Sequence, residues 1–191
     1  MKLGTVGLIC SLLFGLAACE KTARTQTKID ACNLIRSEEI EAIQGSPVKE
    51  TKPSERFESG FRVSQCVYAT EDSSKSVVAT VWQKDPTNQA QRSPRDFWKE
   101  KFDPYAGMKH EGEQDQTEQI PKPGEEHEGK TITPITIDKL GDEAYWIGGL
   151  SRGLYVLQKD VFIRIGAGGQ IAEELRIKNS KALANKALQR L

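Results

Sequence analysis

Gly149-Leu150-Ser151-Arg152-Gly153 has the G-x-S-x-G form of a serine-hydrolase elbow. That chemistry needs a strand before the serine, a helix after it, and then an acid and a histidine downstream. The only histidines, His110 and His127, both precede Ser151, and the residues after Gly153 read as a strand. We read the segment as a Gly-rich strand connection. Gly166-Ala167-Gly168-Gly169-Gln170-Ile171 has two of the three glycines of a dinucleotide loop, with Ile171 in the third place. A dinucleotide fold needs far more chain than the twenty residues that follow. His110 and His127 stand among Glu111, Glu113, Glu125, Glu126 and Glu128, a donor set that suits divalent metals. No pair has the spacing of an ordered site, so a solvated charged loop is the expectation and neither metal nor cofactor is assigned. Trp82, Trp98, Tyr145 and Trp146 can line a groove or fill a core. We place Trp82 and Trp98 in the core. Tyr145 and Trp146 are neighbours on an expected strand and must point to opposite faces. One is expected in the core and the other as a surface contact.

The balance of charge narrows the partners. Lys plus Arg and Asp plus Glu are both 27, so formal net charge is zero. A nucleic-acid binder needs a basic surplus, so none is expected. At 191 residues, 37% of them hydrophobic, the chain fits one domain and is too apolar to be disordered throughout.

Cys19 carries a different chemistry. Met1-Lys2 is a short basic start, and Leu3 to Ala18 is uncharged and mostly apolar. As a helix this run reaches about 24 Å, short of a bilayer core of about 30 Å, so a secretory signal fits better than a membrane span. The run ends Leu16-Ala17-Ala18-Cys19, which resembles the bacterial lipobox. The resemblance implies cleavage after residue 18, acylation of Cys19, and a bilayer as the first partner. Glu20 rather than Asp after the cysteine implies the outer membrane, facing the periplasm, where the cell has one. Residues 19–28 then form a lipidated polar tether, and the domain runs 29–191. The mature chain has 26 basic and 27 acidic residues. Cys32 and Cys66 remain, in a compartment that permits disulfides.

Elements follow from periodicity. Ser37 to Gly45 reads as a helix with Ser37 as N-cap, Ile40 and Ile43 inward, and Gly45 as stop. Residues 47–60 read as irregular or edge-like. Phe61 to Thr70 alternates, with Phe61, Val63, Val67 and Ala69 on the more apolar side and Cys66 and Tyr68 on the other. Ser76 to Gln83 is apolar on both faces and is expected at the centre of a sheet. Ser93-Pro94 caps a helix that presents Phe97, Trp98 and Phe102. Residues 109–130 hold seven acids and one aliphatic residue and read as a mobile loop. Thr131 to Ile137 is an edge or bulged strand because of Pro134. Glu143 to Ile147 is a strand, residues 154–167 form a hairpin about Lys159-Asp160, and Ala172 to Arg190 is a closing helix. Strands joined by short turns, without βαβ alternation, give an α+β domain: an antiparallel sheet with packed helices.

Ala31-Cys32-Asn33-Leu34-Ile35, Glu38-Glu39-Ile40, Cys66-Val67-Tyr68 and Leu140-Gly-Asp-Glu-Ala-Tyr-Trp146, followed by a hairpin and a terminal Ala/Leu/Lys helix, form a pattern. It resembles uncharacterised bacterial cell-envelope lipoproteins and is similar to the extracytoplasmic sensor-type domains of some bacterial receptor kinases. The resemblance implies a PsbP-like sandwich and a Cys32–Cys66 bridge, with no catalytic motif to carry over. The 109–130 segment lies outside it. For such a bridge, Cys66 sits on the less apolar side of its strand, so either a helix covers that side or a bulge breaks the alternation. The expected function is a non-enzymatic binding or docking module on the envelope, meeting an envelope protein or small ligand. The alternatives are a small hydrolase or metal-dependent enzyme acting on envelope material, and a carrier of a small apolar ligand.

Overall fold

The computed structural model describes residues 27–85, 87, 92–105, 133–149 and 152–191. The strands are β1 (Val48–Glu58), β2 (Phe61–Thr70), β3 (Val77–Lys84), β4 (Ile135–Thr136), β5 (Glu143–Ile147), β6 (Gly153–Gln158) and β7 (Val161–Ala167). They form one seven-stranded sheet in the order β1-β2-β3-β7-β6-β5-β4, antiparallel throughout. Three helices accompany it: α1 (Ser37–Gln44), α2 (Pro94–Phe102) and α3 (Glu173–Leu188). The fold is α+β. β3 sits inside the sheet beside the central β7, as expected of a strand apolar on both sides.

The sheet buries its two faces against different partners. On one face, α1, α3 and the 3₁₀ turn Ala31–Asn33 enclose Cys66, Tyr68, Ala79, Trp146, Leu154, Ile163 and Ile165. On the other, α2 sets Trp98 and Phe102 against Tyr145, Tyr155, Leu157 and Phe162. Phe97 joins them, and Trp82 stacks on Phe162 at 4.4 Å while staying half-buried.

Local chemistry explains most boundaries. Ser93 caps α2 by accepting from the Asp96 N–H, Asp96 returns the bond to Ser93 N, and Pro94 opens the helix. Such a cap contributes about 1 kcal/mol. At α1 the expected cap is displaced by one residue. Arg36 is the N-cap and Ser37 is already helical, because the Glu39 carboxylate accepts from Arg36 N and closes the turn itself. Gly45 ends α1 at φ 65°.

β1 departs furthest from its local composition. Its residues after Val48 are all exposed, yet it pairs with β2 along its length. Lys, Glu and Pro53 disfavour strand locally, but β2 offers a full row of backbone partners, and Pro53 is tolerated at the sheet edge. Ser59 and Gly60, both at positive φ, make the two-residue turn between them. β2 is buried by halves. Phe61 and Val63 face α2, whereas Ser64, Cys66, Tyr68 and Thr70 face the α1 side. No bulge breaks β2–β3 pairing, so it is the covering turn and helix that resolve the position of Cys66.

Candidate functional site

Cys32 and Cys66 are bonded, with Cα atoms 5.0 Å apart. Tyr68, two residues on and on the same face, secures the same turn. Its hydroxyl donates to the Ile35 carbonyl at 2.8 Å and lies 3.2 and 3.3 Å from those of Cys32 and Ala31. Burial pushes the Tyr68 phenol up to about 12. This is a structural staple: Cys66 is fully buried, Cys32 is half-buried, and the phenol holds its proton.

The segment from Leu140 to Trp146 is equally occupied by structure. A Cβ on Gly141 would lie 2.5 Å from the Leu157 carbonyl oxygen, so only glycine lets this turn approach β6. Asp142 accepts from Lys159 N at 2.9 Å and pairs with the Arg95 guanidinium. Glu143 accepts from Trp98 Nε1 at 2.9 Å, and Trp146 Nε1 donates to Glu173 at 3.1 Å. A shallow cleft of about 170 Å³ beside this turn is lined by Thr136 to Tyr145. Two of its acids, Asp142 and Glu143, already hold α2 and the β6–β7 hairpin in place. Among the described residues no group of three or more His, Cys, Asp or Glu is placed to hold a metal.

Tyr145 and Trp146 require a correction. They do point to opposite faces, but both are buried, at 7% and 0% exposure, and neither is a surface contact. The reason is that β5 lies between the two clusters: Tyr145 packs on Phe102 at 4.7 Å, and Trp146 lies under α3. Cys19, His110, His127, Ser151 and the 109–130 loop lie outside the described residues.

Sequence reasoning missed two places. The first is the half of the α2 face that α2 does not reach. There Gln65, Val67, Ala69, Val78, Arg164 and Gly166 stay half-exposed, although the same strands are fully buried on the opposite face. Cross-strand register sets Gln65, Thr80, Arg164 and Tyr155 in one row. The Arg164 guanidinium donates to the Arg152 carbonyl at 2.7 Å and lies 5.8 Å from the Tyr155 ring centre, with no carboxylate partner among the described residues. Alternation gave no signal here, because coverage by a helix is not a property of the strand.

The second is where the chain enters the fold. Gln83 on β3 is 3% exposed; its side chain accepts from Ile29 N at 2.8 Å and donates to the Thr27 carbonyl at 3.0 Å. Lys28 pairs with Glu55 of β1 at 2.8 Å. Thr27 and Lys28, expected in the tether, are therefore clamped to the sheet together with Ile29. No helix among the described residues is long and apolar enough to cross a membrane. Comparison with known proteins finds no matching family model, no matching curated protein and no matching solved structure.

Proposed function

We propose that the protein is an envelope lipoprotein, held to a bilayer through acylated Cys19, whose PsbP-like sandwich serves as a non-enzymatic docking module on the periplasmic side. The observation that carries the docking role is the half-covered sheet face. It pairs an apolar strip, Val67, Ala69 and Val78, with one guanidinium that has no acid beside it among the described residues. An acidic group on an envelope partner satisfies Arg164 while its apolar neighbour covers the strip. The Leu140–Trp146 segment supports a binding role over a catalytic one, since its acids and indoles are committed to holding elements together.

The test uses the protein in its own cells. Photo-crosslinking residues are placed at Val67 and Val78, with and without Arg164→Glu, and Cys19→Ser runs in parallel. We expect one partner crosslinked from both positions, loss of that adduct with Arg164→Glu, and release of Cys19→Ser protein into the soluble fraction. Adducts indifferent to Arg164→Glu would remove the docking face. Membrane retention of Cys19→Ser protein would remove the anchor.

A further inference from the structure

We propose that the β1–β2 hairpin tip, with Phe57, rests in the interface of the bilayer that holds the anchor, so that the sheet stands with this end toward the membrane. The proposal builds on the acyl-anchor reading and adds an orientation to it. Register aligns Phe57 of β1, Arg62 of β2 and Gln83 of β3 in one row on one face of the sheet. Gln83 is the residue that grips Thr27 and Ile29, and Lys28 reaches Glu55, two residues before Phe57. The chain therefore leaves the domain beside the hairpin tip. From Thr27 back to Cys19 is eight residues, at most about 28 Å fully extended. From Ala31, which donates to Ser64, back to Thr27, which Gln83 holds, the chain runs from the row of Glu55 to the row of Phe57, so it is directed toward the tip where the tether begins.

Phe57 is what this end offers a bilayer. It is 64% exposed, and beyond it the large apolar side chain most exposed among the described residues is Leu175, at 44%. Leu175 lies in the first turn of α3, where Arg176 bonds to the Gly169 and Ile171 carbonyls, at the opposite end of the sheet. The turn at residues 159–160 closes the sheet at the Phe57 end, and Lys84 and Lys159 are exposed there for phosphate headgroups. One phenylalanine binds a free protein to lipid only weakly. Tethering makes the contact intramolecular, at millimolar effective concentration, where a weak contact is enough to set orientation.

The experiment labels acylated protein at Glu58→Cys or Leu175→Cys with an environment-sensitive fluorophore, leaving Phe57 in place. The protein is reconstituted in vesicles of phosphatidylethanolamine and phosphatidylglycerol containing a spin-labelled lipid. Both positions are exposed, so neither label disturbs packing. Quenching should be severalfold stronger at residue 58 than at 175, and it should vanish in the soluble Cys19→Ser form. Vesicle-bound protein with equal quenching at the two positions overturns the orientation while leaving the anchor intact. Acylated protein that fails to co-sediment with vesicles overturns the anchor and the orientation with it.

Discussion

The two faces of the sheet are made from the same strands and end in different states. Beneath α1 and α3, Cys66, Ala79, Ile163 and Ile165 are within 1% of complete burial. One residue along each strand, on the α2 side, Gln65, Val78 and Arg164 are half-exposed. The first face is closed by three devices: a sixteen-residue helix, a disulfide-bonded turn, and a C-terminal ion pair joining α3 to α1. Among the described residues the second is closed by a nine-residue helix alone, which covers its aromatic half. The difference shows where stability is concentrated and where surface is left for contact. A face secured by covalent and ionic links resists change, and a half-covered face tolerates it.

The largest test of this contrast is Trp146→Ala. It removes a fully buried indole and the bond that its N–H makes to the exposed Glu173 carboxylate, and it should cost about 3–5 kcal/mol by chemical denaturation. A loss below about 1 kcal/mol would show that this face is not the main core.

Next comes the disulfide. Reduction, or Cys32→Ala with Cys66→Ala, opens a link across 34 residues and should cost about 3–4 kcal/mol in the chain-entropy picture. Urea melts with and without reductant measure it, and coincident midpoints would break the prediction.

The third test is acid. Arg190 bonds both oxygens of Glu39, at 2.8 and 2.9 Å, and this pairing holds the carboxyl down at about 2 against an ordinary 4.5. A carboxylate depressed on folding stabilises the fold above its unfolded pKa, and that contribution is lost as pH falls from about 4.5 toward 2. Tm should fall through that window, and Glu39→Gln should flatten the dependence. An unchanged acid profile in Glu39→Gln would assign the loss to other carboxylates.

The smallest effect is expected on the open half-face. Val78→Ala should cost about 1 kcal/mol or less, because its side chain is only half removed from water. A loss comparable to Trp146→Ala would mean that this half is core as well, and the contrast between the faces would fail.

Much of the architecture could be read along the chain. β3 is apolar on both faces and was expected at the centre of the sheet. Ser93, Pro94 and Asp96 specify the start of α2, and Lys159-Asp160 stands between two apolar runs as a hairpin turn. These are local or nearest-neighbour effects, so composition and spacing suffice to state them. β1 was not legible as a long strand, because its pairing energy comes from the backbone of β2 and its own side chains contribute little. The fate of Tyr145 and Trp146 was also hidden. Alternation separates them but cannot count how many faces of the sheet acquire a helix.

By itself, then, the order of residues determined the element types other than β1, the antiparallel α+β class and the opposite directions of adjacent side chains, since each follows from backbone sterics and periodicity. Only the tertiary structure decided which faces were covered, and with them the enclosure of Cys66, the burial of both Tyr145 and Trp146, and the exposure of Arg164. It also decided that Thr27 and Ile29, held by Gln83, lie at the row of Phe57. Those outcomes depend on contacts between residues far apart in the chain, Gln83 with Thr27 or Arg190 with Glu39, and side chains meet across such distances only after the sheet has formed.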